Sequence, residues 1–242
     1  MVLQDLFDTL ASGEFSNLAL GQGVTGSIKE DAYPKVVSAI NRSLLSLYQK
    51  FLLKKKRVYL VQQDGITRYY LRTKYLGYSG ATGPEAYLVD YPNEVFLDDV
   101  IRILWITDID GNPIELNPPH PVLEQTYFRS SQFDALDLIT SSDDQTFIVE
   151  FQAKCPLIEI TEDFNPETLQ LYYPSFIEEA LLYKIASIIA RGKTVRASEG
   201  EWYASNTWDT KYNQACQELS LLGLAEEFTS EEDLRFERKG FV

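Results

Sequence analysis

Tyr33-Pro34-Lys35-Val36-Val37-Ser38-Ala39-Ile40-Asn41-Arg42-Ser43-Leu44-Leu45-Ser46-Leu47-Tyr48-Gln49-Lys50-Phe51-Leu52-Leu53 is the stretch on which the reading of this chain turns. Val36, Val37, Ile40, Leu44, Leu47, Tyr48 and Phe51 recur at steps of three and four, the spacing that gathers side chains on one face of a helix. A helix with one apolar stripe must bury that stripe against another element. The same period returns only near the other end of the chain. One stretch runs from Pro174 to about Arg191 with Gly192 as its stop, the other from about Glu201 to Leu222, closed by Gly223. The residues between alternate like strands. Helices at the two ends are each other's simplest partners, so the expected fold class is α+β: a helical bundle formed by the N- and C-terminal helices, with an inserted antiparallel β-rich region. The expected boundaries are 1–53 with 166–224 for one discontinuous helical part, 54–165 for the insertion and 225–242 for a C-terminal tail.

Outward from that helix, Val2 to Leu10 reads as a short helix presenting Leu3, Leu6, Phe7 and Leu10 on one side and ended by Gly13. Gly21 to Gly26 form a glycine-rich connection, Ser27 or Asp31 can cap the long helix, and Pro34 helps to start it. Beyond Leu53, Val58 to Gln62 and Ile66 to Leu71 flank Asp64-Gly65, which predicts a hairpin. A loop is expected over Gly77 to Pro84 and a short helical turn over Val95 to Val100. Asp110-Gly111 then turns Ile101 to Ile106 toward Ile114 to Leu116 as a second hairpin. Val122 to Arg129 and Thr146 to Gln152 read as extended, with Asp143-Asp144 as the turn between them.

At 242 residues and 45% hydrophobic composition the chain can bury a sizeable core. No apolar run approaches the roughly 20 residues that a spanning helix needs, and Met1 to Leu20 carries Asp5, Asp8 and Glu14 where an export signal would be basic and then apolar. The expectation is a soluble chain with no membrane partner. Cys155 and Cys216 are far apart and lack metal-ligand spacing, which favours reduced thiols over a disulfide. Lys and Arg number 22 against 36 Asp and Glu, a net charge of −14. That balance opposes a broad grip on DNA phosphates but permits DNA to pass close by.

Several residues invite a chemical reading. Gly21, Gly23 and Gly26 spell G-x-G-x-x-G, yet no core strand precedes them and no acid follows near the required distance, so a connection is favoured over a dinucleotide site. Asp108, Asp110, Gly111 and Asn112 resemble half of a calcium loop, but its twelfth position falls on Pro119, which favours a turn. His120 is the only histidine and lies between two prolines, where a turn residue is commoner than a base. Lys54 to Arg57 could hold phosphates or an acidic partner protein, or could simply face solvent at the negative end of a helix dipole. Trp202, Tyr203 and Trp208 could form an interface, with core packing as the plainer reading. No catalytic, cofactor or metal residue is assigned.

The order of four stretches resembles the head-to-tail adaptor (connector, or head-completion) proteins of short-tailed and related bacteriophages. They are the opening segment Leu3 to Gly13, the segment Tyr33-Pro34-Lys35 with Ile40 to Phe51, the segment Pro174 to Ala186 with the helix ending at Gly223, and the terminal Arg235-Phe236-Glu237-Arg238-Lys239-Gly240-Phe241-Val242. The resemblance implies a non-enzymatic structural protein of the virion, assembled in the host cytoplasm as a homo-oligomeric ring, commonly a dodecamer. Such a ring is seated between the portal protein and the tail or nozzle protein, and DNA passes through its lumen without tight binding. It implies a portal-docking role for Arg235, Phe236, Arg238, Lys239, Phe241 and Val242. Competing readings are a hydrolase using Asp98, Asp99 and Glu150, and a monomeric protein-interaction adaptor. For the tail, the alternative to docking on a partner is folding back on the chain's own helices.

Overall fold

Helix α2, Tyr33–Lys50, buries Val36, Val37, Ile40, Leu44, Leu47 and Tyr48, the stripe that the spacing marks out. It stops at Lys50 because Phe51 is extended (φ −123°, ψ 146°), although the Phe51 ring is itself fully buried. Among the described residues no side chain caps its start, and Ser27 lies outside them. Asp31 lies instead in a 3-10 turn, Glu30–Ala32, that leads directly into the helix, and Pro34 occupies its first turn. Helix α1, Leu3–Ala11, buries Leu3, Leu6, Phe7 and Leu10. Its first amides would otherwise lack partners. They are met from 166–171, where the Leu3 N–H donates to the Leu169 carbonyl (2.9 Å) and the Gln4 N–H to that of Pro166 (3.0 Å).

These observations come from a computed structural model, which describes residues 1–18, 20, 28–77, 86–118, 126–139, 145–194 and 199–224. The chain divides into two compact units, a helical one of Met1–Leu53 with Cys155–Val242 and a β-rich one of Lys54–Lys154. The fold is therefore mixed α+β.

In the helical unit the chain resumes at Cys155, and Asn41 of α2 holds this returning segment by both the N–H and the carbonyl of Ile158. The Asn41 Nδ2 donates to the Ile158 carbonyl and the Ile158 N–H to Asn41 Oδ1, both at 2.9 Å. A 3-10 turn, Ser175–Ile177, opens α3, Glu178–Thr194; α4, Glu199–Leu219, follows and ends in a π turn, Ser220–Leu224. Gly192 does not stop α3, which runs through it to Thr194. A helical glycine costs about 1 kcal/mol, and the pairing of α3 with α4 outweighs that. Helix α3 packs on both α2 and α4. Ser187 and Arg191 meet Asp209, while Lys184 meets Tyr212, so α3 and α4 run in opposite directions.

Among the described residues the β-rich unit holds two four-stranded sheets. With β1 Lys55–Val61, β2 Arg68–Tyr70, β3 Leu88–Asp90, β4 Val100–Asp108, β5 Glu115–Leu116, β6 Tyr127–Gln132, β7 Ala135–Ile139 and β8 Thr146–Ala153, the orders are β3-β1-β8-β4 and β2-β7-β6-β5. The pairings are antiparallel except β5 with β6, which is parallel. The expected hairpin around Asp64-Gly65 does not form. Gly65 supplies its positive φ of 77°, but the turn is a corner, because β1 and β2 belong to different sheets. Strand β1 gains more from β8, where Val58 faces Val149 and Leu60 faces Phe147, all fully buried. The turn at Asp110-Gly111 begins to pair, the Ile114 N–H donating to the Ile106 carbonyl (2.9 Å), and then β5 leaves for the other sheet.

Two further expectations are corrected. Residues 95–99 form no helical turn, since Asp98 takes a left-handed φ of 54° that a right-handed turn cannot contain. The segment before Thr146 contains an additional strand, β7, joined to β6 across Phe133-Asp134, so the tight turn lies there and not between β6 and β8. Asp143-Asp144 lies outside the described residues. One apolar core fills the space between the sheets. Val58, Leu60, Phe147, Val149 and Phe151 from one meet Tyr69, Phe128, Leu136 and Leu138 from the other, with Phe128 and Phe147 edge to face at 4.9 Å.

Candidate interaction surfaces

Lys54 to Arg57 does not project from a helix; Lys55–Val61 is a strand, and three of the four basic residues are taken up by acids of the same unit. Lys55 pairs with Glu150 at 3.7 Å. Lys56 Nζ lies 2.7 Å from Asp99 Oδ2 and donates to the Val95 carbonyl at 2.7 Å, with only 11% of its side chain exposed. Arg57 gives Glu94 three hydrogen bonds, from its backbone N–H and from Nε and Nη2, and lays its guanidinium 4.0 Å above the Tyr91 ring.

The consequence is local order in 91–99. Asn93 (φ 64°) and Asp98 (φ 54°) occupy a conformation that non-glycine residues rarely adopt. The acids on either side hold them there. Asp98 accepts from the Thr73 N–H and hydroxyl, and Asp90 accepts from the Phe96 N–H. Phe96 is thereby driven into the core against Phe151, while its neighbours Val95 and Leu97 remain 58% and 64% exposed. A pinned loop that displays two aliphatic side chains has already lost the entropy that a partner would have to remove.

Beside it lies the outer face of the β3-β1-β8-β4 sheet. Register places Val89, Tyr59, Ile148 and Thr107 in one row and Arg57, Glu150 and Trp105 in the next. Trp105 is 56% exposed on an edge strand, and the Tyr59 and Tyr91 rings lie 5.0 Å apart. Trp, Tyr and Arg are the residues that most often carry binding energy at protein interfaces. None of Trp105, Tyr91, Glu94, Val95 or Leu97 stands out in the sequence. The available signal is the run from Val100 to Ile106, apolar on both faces where a half-buried strand would alternate.

The other candidates separate. Asp98, Asp99 and Glu150 each hold a structural partner: Thr73, Lys56 and Lys55. Asp108 Oδ1 accepts from the Asp110 and Asn112 N–H groups and Oδ2 from Asn112 Nδ2, which holds its pKa below the usual carboxylate range and closes the turn. Trp208 is buried, stacked on Phe15 at 5.1 Å and near Tyr183 at 6.1 Å. Cys155 and Cys216 are buried and form no disulfide. Burial lifts the Tyr48 hydroxyl to about 12, with Cys155 adding to it. Gly21 to Gly26, His120, the Trp202 and Tyr203 side chains and all six tail residues from Arg235 to Val242 lie outside the described residues. Among the described residues, no three His, Cys, Asp or Glu gather as a metal site, and no helix is long and apolar enough to cross a membrane.

Comparison with known proteins finds no family model and no curated protein that matches this chain.

Proposed function

We propose that this chain is a structural head-to-tail adaptor of a tailed phage. Its N- and C-terminal helices form the bundle of each subunit, copies assemble into a ring between the portal and the tail or nozzle, and DNA passes through the lumen without tight binding. The observation that carries the reading is the exposed face of the β-rich unit, made of Trp105, Tyr59 and Val89 beside the pinned Val95-Phe96-Leu97 loop. An adaptor must present surfaces of this kind to neighbours, and ring assembly needs no reactive centre. The basic run is engaged by Glu94, Asp99 and Glu150, which leaves little of it for phosphates and fits a conduit better than a clamp.

Portal docking belongs, in this reading, to Arg235, Phe236, Arg238, Lys239, Phe241 and Val242. Deleting Ala225 to Val242 should leave the melting temperature within a few degrees of wild type and abolish assembly onto a purified portal ring, as seen by negative-stain imaging. A truncated chain that still decorates the portal refutes the assignment.

A further inference from the structure

A groove of about 360 Å³ opens on the helical unit where the 3-10 turn Gly13–Leu18 meets Ser175–Ile177 and the start of α3. Phe15, Leu182 and Tyr183 form its floor, and Phe176, 47% exposed, stands along one wall. Glu178 and Glu179 line it together with Glu14, which is itself paired with Lys211. Glu178 and Glu179 leave the groove acidic on the side of α3, and burial, with Glu14 and Glu179 adding to it, lifts the Tyr183 hydroxyl to about 12. An occupant should therefore be apolar at its centre and basic at its edges.

The chain supplies such a segment. Arg235-Phe236-Glu237-Arg238-Lys239-Gly240-Phe241-Val242 sets three basic residues against one acid around two phenylalanines. The path to the groove is short. Because α4 runs antiparallel to α3, the pairs Arg191–Asp209 and Lys184–Tyr212 lead its C-terminal end toward the N-terminal end of α3, where the groove lies. Residues 225–234 then bridge up to ~33 Å when extended. A segment tethered so closely is present at a local concentration on the order of millimolar.

We infer that this groove is the seat of the chain's own C-terminal segment, with Phe241 set against Phe176 and Leu182, and with Arg235, Arg238 and Lys239 facing Glu178 and Glu179. The inference goes beyond the adaptor reading and stands or falls without it, since it concerns the free subunit. The contact is shallow and its charges are exposed, so a competing protein surface can displace it.

The test uses the full-length chain with benzoylphenylalanine at position 241, as an equal mixture of isotopically light and heavy protein, irradiated when dilute and mapped by mass spectrometry. The expected cross-links fall in peptides containing Phe15 or Phe176 to Tyr183 and join segments of one chain. Glu178→Lys with Glu179→Lys should lower their yield by about fivefold at low salt, and Arg238→Glu with Lys239→Glu added to that variant should restore much of it. Circular dichroism confirms that each variant is folded, and the mapping of the unreversed chain decides the location without them. Cross-links elsewhere, none above background, light-to-heavy cross-links in the groove, or a yield indifferent to charge reversal in folded protein would each overturn the inference.

Discussion

The helical and β-rich units differ in how much of their charge is paired. In the β-rich unit, acids and bases meet: Arg57 with Glu94, Lys56 with Asp99, Arg68 with Asp137 and Arg72 with Asp134. The helical unit also pairs Arg191 with Asp209 and Lys211 with Glu14, but it keeps Glu178 and Glu179 side by side along one apolar groove. Pairing inside a unit orders loops and silences charge toward partners, whereas two neighbouring acids leave a field for something outside to answer. The densest basic run of the chain thus turns out to be structural.

The comparison is most easily broken at the core that the β-rich unit depends on. Phe128→Ala should cost about 3–5 kcal/mol, since its ring is fully buried and packs edge to face on Phe147. Urea unfolding followed by Trp105 fluorescence measures it, and a loss under about 1 kcal/mol would mean that the two sheets do not share this core.

Lys56→Met comes next. Asp99 Oδ1 is buried without a hydrogen bond and Lys56 answers its other oxygen, so removing the lysine strands a carboxylate and should cost about 3 kcal/mol. Faster amide exchange over 94–99 should accompany it. An innocuous Lys56→Met would show that these charges do not strap the loop.

In the helical unit, burial opposes ionisation of Asp209, but hydrogen bonds from Ser187 and Arg191 prevail and hold its pKa below the ordinary carboxylate value. Stability from this group is therefore present above the unfolded value near 3.9 and is lost as pH falls through the lower folded pKa. Asp209→Asn should cost about 1.5 kcal/mol near neutral pH, and the two proteins should converge once pH has fallen through that lowered value. A difference independent of pH would assign the loss to packing. The smallest effect belongs to Lys55→Met, where a half-exposed pair at 3.7 Å should be worth less than about 0.5 kcal/mol in chemical denaturation. A larger value would mean that the outer face of the sheet is more desolvated than its exposure shows.

What the sequence by itself determined is the set of elements whose signal is local. The stripe from Val36 to Tyr48, the face of Leu3, Leu6, Phe7 and Leu10, and the alternation of Phe147, Val149 and Phe151 are all buried as spaced, because one face of a regular element must leave water. Strand partnership was not legible. Asp64-Gly65 and Asp110-Gly111 specify turns, but a turn does not say whether its two arms will prefer one another, and here β8 and β6 offered better-packed partners. Nor could spacing show that Asn41 would hold the peptide of Ile158, or that Lys56 and Arg57 would find Asp99 and Glu94 some forty residues away. Those contacts depend on closing long loops around a core, and the candidate docking face, with Trp105 left exposed and Phe96 turned inward, exists only once that closure has been made.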